Sequence, residues 1–276
     1  MILRATLLAL AGITALLAQP GAPPRRKIQV LIITGRDSHD WRGVTPVLRQ
    51  HLEGTGLFEV RIAEEFRDAG PESLNGYDVA VLVYSDKTPA ERWSDRSRNT
   101  LLGFVRSGKG LVVYHHSATA FLDWPEFARL SGGSYDRGAQ HSPIHDFNVE
   151  LVDREHPITR GLKATFHQPP DELYAHMQMQ PAGSFHVLAN AWDDHALYVT
   201  FHSPVEGPGQ YEPLMWTVQA NLGRVFATMI GHSVQAIQGE GFRVTFTRGV
   251  EWAATGAVTQ PAPPSMAETR NGAAQE

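Results

Sequence analysis

Residues 108–121 read GKGLVVYHHSATAF. Leu111, Val112 and Val113 make a short apolar run, the mark of a strand buried on both faces, and Ser117, Ala118 and Thr119 read as a turn into a helix. His115 and His116 stand at the corner between them. In an α/β protein a strand-to-helix corner is where reactive side chains sit. The reading of this stretch as strand followed by turn therefore sets both the fold class and the place to look for chemistry.

The same pattern extends outward from it. KIQVLIIT (27–34) is a near-continuous apolar run, followed by a loop, GRDSHDWRG. Val44, Val47, Leu48 and Leu52 then fall at helical spacing. FEVRIAE (58–64) and YDVAVLVY (77–84) read as strands, and 89–107 reads as a helix that opens on Pro89 and stops at Gly108. This βαβ succession predicts a doubly wound, mainly parallel sheet, with a site at the carboxyl ends of its strands. The loops after Thr34, Tyr84 and Tyr114 then face one crevice. The second half is richer in strands: FNVELVD (147–153), FHVLANAW (185–192), ALYVTFH (196–202), PLMWTVQ (213–219) and GRVFATMIGH (223–232), with a last helix over 241–252. These read as a β-rich elaboration of the same domain, 27–256.

The ends differ from this body. Arg4 followed by the apolar stretch 5–18 has the layout of a secretory signal, and it is shorter than the roughly 20 residues a spanning helix needs. QPGAPPRR (19–26) reads as a Pro-rich linker, and 257–276 as a disordered tail. The expected location is thus periplasmic or secreted, with no membrane anchor after cleavage. The 276 residues include no Cys, which excludes disulfides, thiolate nucleophiles, Cys-bound zinc and a lipoprotein anchor. A formal charge of −5 gives no electrostatic case for nucleic acid. No G-x-G-x-x-G or Walker loop supports a nucleotide cofactor.

Histidine is abundant, at 13 residues, and four strand-end loops carry it. His39 follows the first strand, His115 and His116 the fourth, His141 and His145 lie in a Gly- and Pro-containing loop, and His232 ends GRVFATMIGH. Convergent imidazoles suit a divalent metal such as zinc, or proton transfer near neutral pH. Alternation along a strand predicts that His115 and His116 point opposite ways. His116 is the one expected in the crevice, and His115 is expected to face away, packed or bonded to a backbone carbonyl. His141 and His145 share the i, i+4 spacing, but Pro143 between them argues for a loop. PDELY (170–174) puts Asp171 and Glu172 beside Tyr174, as an orienting carboxylate or a solvated turn. His156, in DREHPITRG, reads as structural. Trp41, Trp124, Tyr174 and Trp216 read as sugar-stacking rings or as packing.

Taken together, GKGLVVYHHSAT, WPEFARLSGG, HPITRGL, PDELY and GRVFATMIGH resemble the ThuA-like (trehalose-utilisation) family over most of 27–256. The resemblance implies a flavodoxin-like sheet related to the class I glutamine amidotransferases, whose corner carries a catalytic Cys. With no Cys in the chain, amidotransferase chemistry is excluded. It also implies use of trehalose and related disaccharides, including 3-keto derivatives. His116 matches the family's corner histidine, and His141, His232, Asp171, Glu172, Tyr174 and His39 match further positions. The chain departs from the family at TVQANLGRVF and inserts HSPVEGPGQYE (202–212).

The expectation is an exported carbohydrate-active enzyme whose partner is a small-molecule carbohydrate. His116, His141, His232, Glu172 and Asp171 are the catalytic candidates, with His39, Trp41 and Tyr174 binding the sugar and His116, His141 and His232 holding a metal. Two alternatives stand beside it. One is a non-catalytic sugar-binding protein. The other is a serine enzyme using Ser117, which lacks the G-x-S-x-G turn.

Overall fold

The computed structural model describes residues 26–198 and 209–268. Its elements run β1 (Ile28–Ile33), α1 (Trp41–Glu53), β2 (Phe58–Ala63), β3 (Val79–Leu82), α2 (Asp95–Arg106), β4 (Gly110–Tyr114), α3 (Pro125–Ser131), β5 (His145–Leu151), β6 (Thr165–Asp171), β7 (His186–Asp193), β8 (Gln210–Ala220), β9 (Gly223–Thr228), α4 (Val234–Ile237) and α5 (Glu240–Thr255). Among the described residues nine strands form one sheet, in the order β2-β1-β3-β4-β9-β8-β7-β5-β6. The first five are mutually parallel. The remaining four continue antiparallel, so the β-rich elaboration is an extension of the same sheet.

Local chemistry accounts for the elements. The apolar runs of β1, β3 and β4 are buried because helices cover both faces of a parallel sheet. Asp40 caps α1 by accepting the Gly43 N–H, and Ser94 caps α2 by accepting the Ser97 N–H. That second cap, behind buried Trp93, splits the single helix expected over 89–107 into a short turn, Pro89–Glu91, and α2. The last helix is longer than expected and lies between other elements, with Phe242, Phe246, Val250 and Ala253 buried. Gly241 and Gly249 permit this: a Cβ would stand 2.0 Å from the Phe166 ring at the first and 2.2 Å from Phe226 at the second.

Three expectations are corrected. β6 contains Pro169 and Pro170, which argued against a strand; it forms because it is the edge of the sheet, where a missing N–H is tolerated. In ALYVTFH, the described part is a single turn, His195–Tyr198, and 199–208 lie outside the described residues, as does most of the inserted stretch. The tail is ordered as far as 268: Leu162 bridges Ala267, and Glu251 accepts hydrogen bonds from Thr259 and Gln260. The signal and most of the linker, 1–25, lie outside the described residues, and so do 269–276. Among those described, no helix is long and apolar enough to cross a membrane.

Candidate metal and catalytic site

The corner after β4 departs from the period-two expectation. Alternation ends at Tyr114, because His115 adopts φ +40° and opens a tight turn, His115–Thr119. That left-handed backbone is uncommon for a residue with a Cβ and costs of the order of 1 kcal/mol or more. It swings both imidazoles to the same side. The His39 ring lies 5.1 Å from His115 and 4.0 Å from His116, centroid to centroid. His115 is therefore a member of the site and not turned away from it, while its expected bond to a backbone carbonyl is also present, to Met229 O at 2.7 Å.

Other loops deliver the rest. The loop after β1 supplies Asp37, Ser38 and His39; the segment after β6 supplies Glu172; the turn after β9 supplies His232. Glu172 is the hub. Its carboxylate oxygens lie 3.5 Å from His39 Nε2, 3.7 Å from His115 Nε2, 3.2 Å from His232 Nδ1 and 3.5 Å from His141 Nδ1. Asp37 Oδ1 takes the Nδ1 of His116 at 2.7 Å, sits 3.5 Å from His39 Nδ1, and accepts the His39 backbone N–H at 2.9 Å.

Asp171 is buried completely and works through the backbone. Its Oδ1 accepts the N–H groups of Glu172 and His232, both at 2.9 Å, and its Oδ2 accepts that of Gly231 at 2.8 Å. It ties the end of β6 to the turn after β9, so it positions Glu172 and His232 and does not reach a substrate. Tyr174 is buried too, stacked on His115 at 4.6 Å with its hydroxyl 3.1 Å from His115 Nε2. Trp41 is 8 % exposed and its ring is covered by the Arg42 guanidinium at 4.0 Å, so it has no free face for a sugar. His141 stands at the margin, its Nδ1 also 2.8 Å from Ser142 O. Trp124 and Trp216 are core, the latter donating Nε1–H to Ser131 O. Ser117 is buried, donates to Leu82 O and accepts the Tyr84 N–H, which removes it as a nucleophile.

The charges follow from burial set against neighbours. Burial alone would raise the Asp37 and Glu172 carboxyls, yet the surrounding imidazoles hold both well below the usual carboxylate range. Burial would lower His39, but Asp37 and Glu172 on its two sides push it up to about 9. Burial keeps His115 and His116 below the ordinary histidine value. Two ionised carboxylates among imidazoles make this a site for positive charge.

The donor atoms of His39, His115, Glu172 and His232 lie within 4.8 Å of one another, and so do those of Asp37, His39 and His116. Of the three residues expected to share an ion, only His232 belongs to the first group; His116 belongs to the second and His141 to neither. The ring orientations suit ligation. His115 commits Nδ1 to Met229 O and His39 turns Nδ1 toward Asp37, so each presents Nε2 to Glu172. His39 Nε2 and His232 Nδ1 are buried with no hydrogen-bond partner. Asp37 was not singled out in the sequence; the available signal was a carboxylate two residues before a histidine in the loop after the first strand.

Known structures share this fold. A ThuA-like protein from Parabacteroides merdae is 29% identical, with a TM-score of 0.75 over 88% of this chain and 95% of that one. A ThuA-like protein from Bacteroides uniformis, 17% identical, superposes with a TM-score of 0.66 over 87% and 98%. The carbohydrate deacetylase Agd3 shares the fold at 14% identity, with a TM-score of 0.55 over 83% of this chain and 32% of that one. No curated protein matches the chain. The family described as ThuA, trehalose utilisation, matches residues 29–253, and the chain belongs to it.

Proposed function

We propose that the protein is an exported carbohydrate-active enzyme that works on a disaccharide or its keto derivative beside a divalent ion, such as zinc, held by His39, His115, His232 and Glu172. The observation that carries this reading is the pair of orphaned imidazole nitrogens, His39 Nε2 and His232 Nδ1, facing one carboxylate. An unpaired buried polar atom costs about 1–3 kcal/mol. Two at one point are the expected trace of ligands arranged for a cation. The spacing supports it. Two ligands of a four-coordinate ion with bonds of about 2.0–2.1 Å stand about 3.3 Å apart, and the contacts to Glu172 are 3.2, 3.5 and 3.7 Å. Three imidazoles and a carboxylate suit zinc and its neighbours, and a cation there competes with the proton that His39 otherwise holds.

When bound, such an ion supplies a Lewis acid for a carbonyl oxygen. The carbohydrate part of the reading is supported by the family and by the deacetylase of the same fold. Export is supported by the apolar stretch after Arg4. Elemental analysis of protein purified without an affinity tag tests the ion: one divalent ion per chain is expected, lost in Glu172→Gln. Product analysis on trehalose and its 3-keto derivative tests the activity. Saturable sugar binding with neither ion nor product would replace the enzyme by a sugar-binding protein.

A further inference from the structure

We infer that His116, oriented by Asp37, is the proton acceptor of this site and acts beside the ion without binding it. The inference rests on the function proposed above and names the group that takes the proton.

Asp37 Oδ1 and His116 Nδ1 are 2.7 Å apart. That is shorter than the 3.3 Å or so separating two ligands of one zinc-like ion, and it is the length of a charge-assisted hydrogen bond. The pair is therefore bonded to each other and not arranged around a cation, unlike the contacts of 3.2–3.7 Å to Glu172. Asp37 is itself held in place, since its side chain is 4% exposed and the same oxygen accepts the His39 backbone N–H.

The tautomer follows from that bond. With Nδ1–H given to Asp37, the lone pair of His116 is on Nε2. Two hydroxyls come near the ring, but neither occupies that lone pair. Ser38 Oγ is 3.5 Å from Nδ1 and 3.2 Å from Nε2, and Thr119 Oγ1 is 3.5 Å from both. An oxygen on the Nε2 axis would be much farther from Nδ1 than from Nε2, so both hydroxyls flank the ring. The basic nitrogen is left free, on a ring 4.0 Å from that of His39. A substrate oxygen at the ion would hold its neighbouring carbon within reach of it.

On a keto-sugar the step balances simply. His116 Nε2 takes the proton from the carbon next to the ketone, and an N–H bond forms. The C–H electron pair becomes the new C=C bond, and the carbonyl π pair moves to oxygen, giving the enolate. Asp37 keeps its charge and stabilises the imidazolium so formed; it is a positioning residue.

The test uses the full-length, ion-loaded protein and the 3-keto derivative of trehalose in D2O. Wild type is expected to exchange the hydrogen next to the ketone, seen by NMR. His116→Gln is expected to lower the exchange rate by about 100-fold or more while keeping one ion per chain. Asp37→Asn is expected to slow exchange with the ion retained, Asp37→Glu to recover part of the rate, and the 15N signals of His116 to shift its N–H from Nδ1 to Nε2 in Asp37→Asn. Unchanged exchange in His116→Gln overturns the inference and leaves the proposed function standing. Loss of the ion in either variant makes the pair part of the ligand set and overturns it as well. No exchange by wild type sinks the proposed function and this inference with it. If His116→Gln does not fold, the Asp37 variants decide by the tautomer shift and the ion count.

Discussion

Replacing Asp171 by Asn keeps the shape of the side chain and removes half of its accepting capacity. Oδ1 accepts from Glu172 N and His232 N, and Oδ2 from Gly231 N at 2.8 Å and Gln168 Nε2 at 3.3 Å. Whichever way the amide turns, its NH2 group faces N–H donors. Two bonds to a charged acceptor are lost, at about 1.5–3 kcal/mol each, so about 4 kcal/mol is the central expectation. For a domain of this size that lowers Tm by roughly 8–16 °C. Calorimetry measures it directly. The same substitution releases the backbone that aims Glu172 and His232, so zinc affinity, read by titration, is expected to fall by roughly 10–100-fold. His232→Ala is the control, since it removes the ring but leaves the N–H that Asp171 holds. It is expected to cost under about 1 kcal/mol while losing ion affinity. If Asp171→Asn melts within about 2 °C of wild type, or His232→Ala falls as far as it does, Asp171 is not the tie between the two segments.

Tyr174→Phe removes the hydroxyl 3.1 Å from His115 Nε2; zinc affinity is expected to change by about 10-fold or less with Tm within a few degrees, and a loss beyond about 100-fold would make Tyr174 a ligand. Gly241→Ala sets a Cβ 2.0 Å from the Phe166 ring, an overpacking expected to cost about 1–3 kcal/mol by thermal melt and to weaken zinc binding, because Phe166 lies on the strand that ends at Asp171. His156 is kept down at about 4 by burial, and its Nδ1 accepts the Ile158 N–H. Its folded value lies below its unfolded one, so the unfolded chain takes up the proton first and stability is lost as pH falls from about 6.5 toward 4. In His156→Asn the fall of Tm over that range is expected to be shallower, and an identical slope would remove His156 as a contributor.

The parallel half was legible because its signals are local. An apolar run such as 28–33 or 79–82 has no other comfortable place than between two helix layers, and Gly108, at φ +107°, ends its helix where a glycine should. The site was legible only in outline, since histidines in separate loops declare convergence but not which nitrogen faces what. His115 was misread because a period-two rule was applied one residue past the end of its strand. Asp37 was missed because its importance is a distance to His116, which lies far along the chain on another strand's end. Trp41 and Tyr174 were read as sugar contacts, since exposure is not written in residue type; Arg42 covers the one and His115 the other.

The placement of Glu172 was the least readable of all, and its reason is architectural. β6 is the far edge of the sheet, four strands beyond β9. At about 4.8 Å per strand a flat sheet would hold it some 19 Å or so from the corner that carries His115. Its last residue nonetheless bonds the backbone of Gly231 and His232, just past β9. The antiparallel half must therefore curl, with the hand that twisted sheets impose, around the helices that lie against it. The contacts are those of such a wrap: Pro169 against Gly239, Phe166 against Gly241, and Gln168 Nε2 bonded to Ala236 O. Glycines at 239 and 241 let the edge strand close onto α4 and α5, and the closure brings Glu172 among imidazoles carried by the parallel strands. The cation site is thus assembled from both halves of the sheet. Any substitution that opens the curl is expected to weaken ion binding before it unfolds the parallel core.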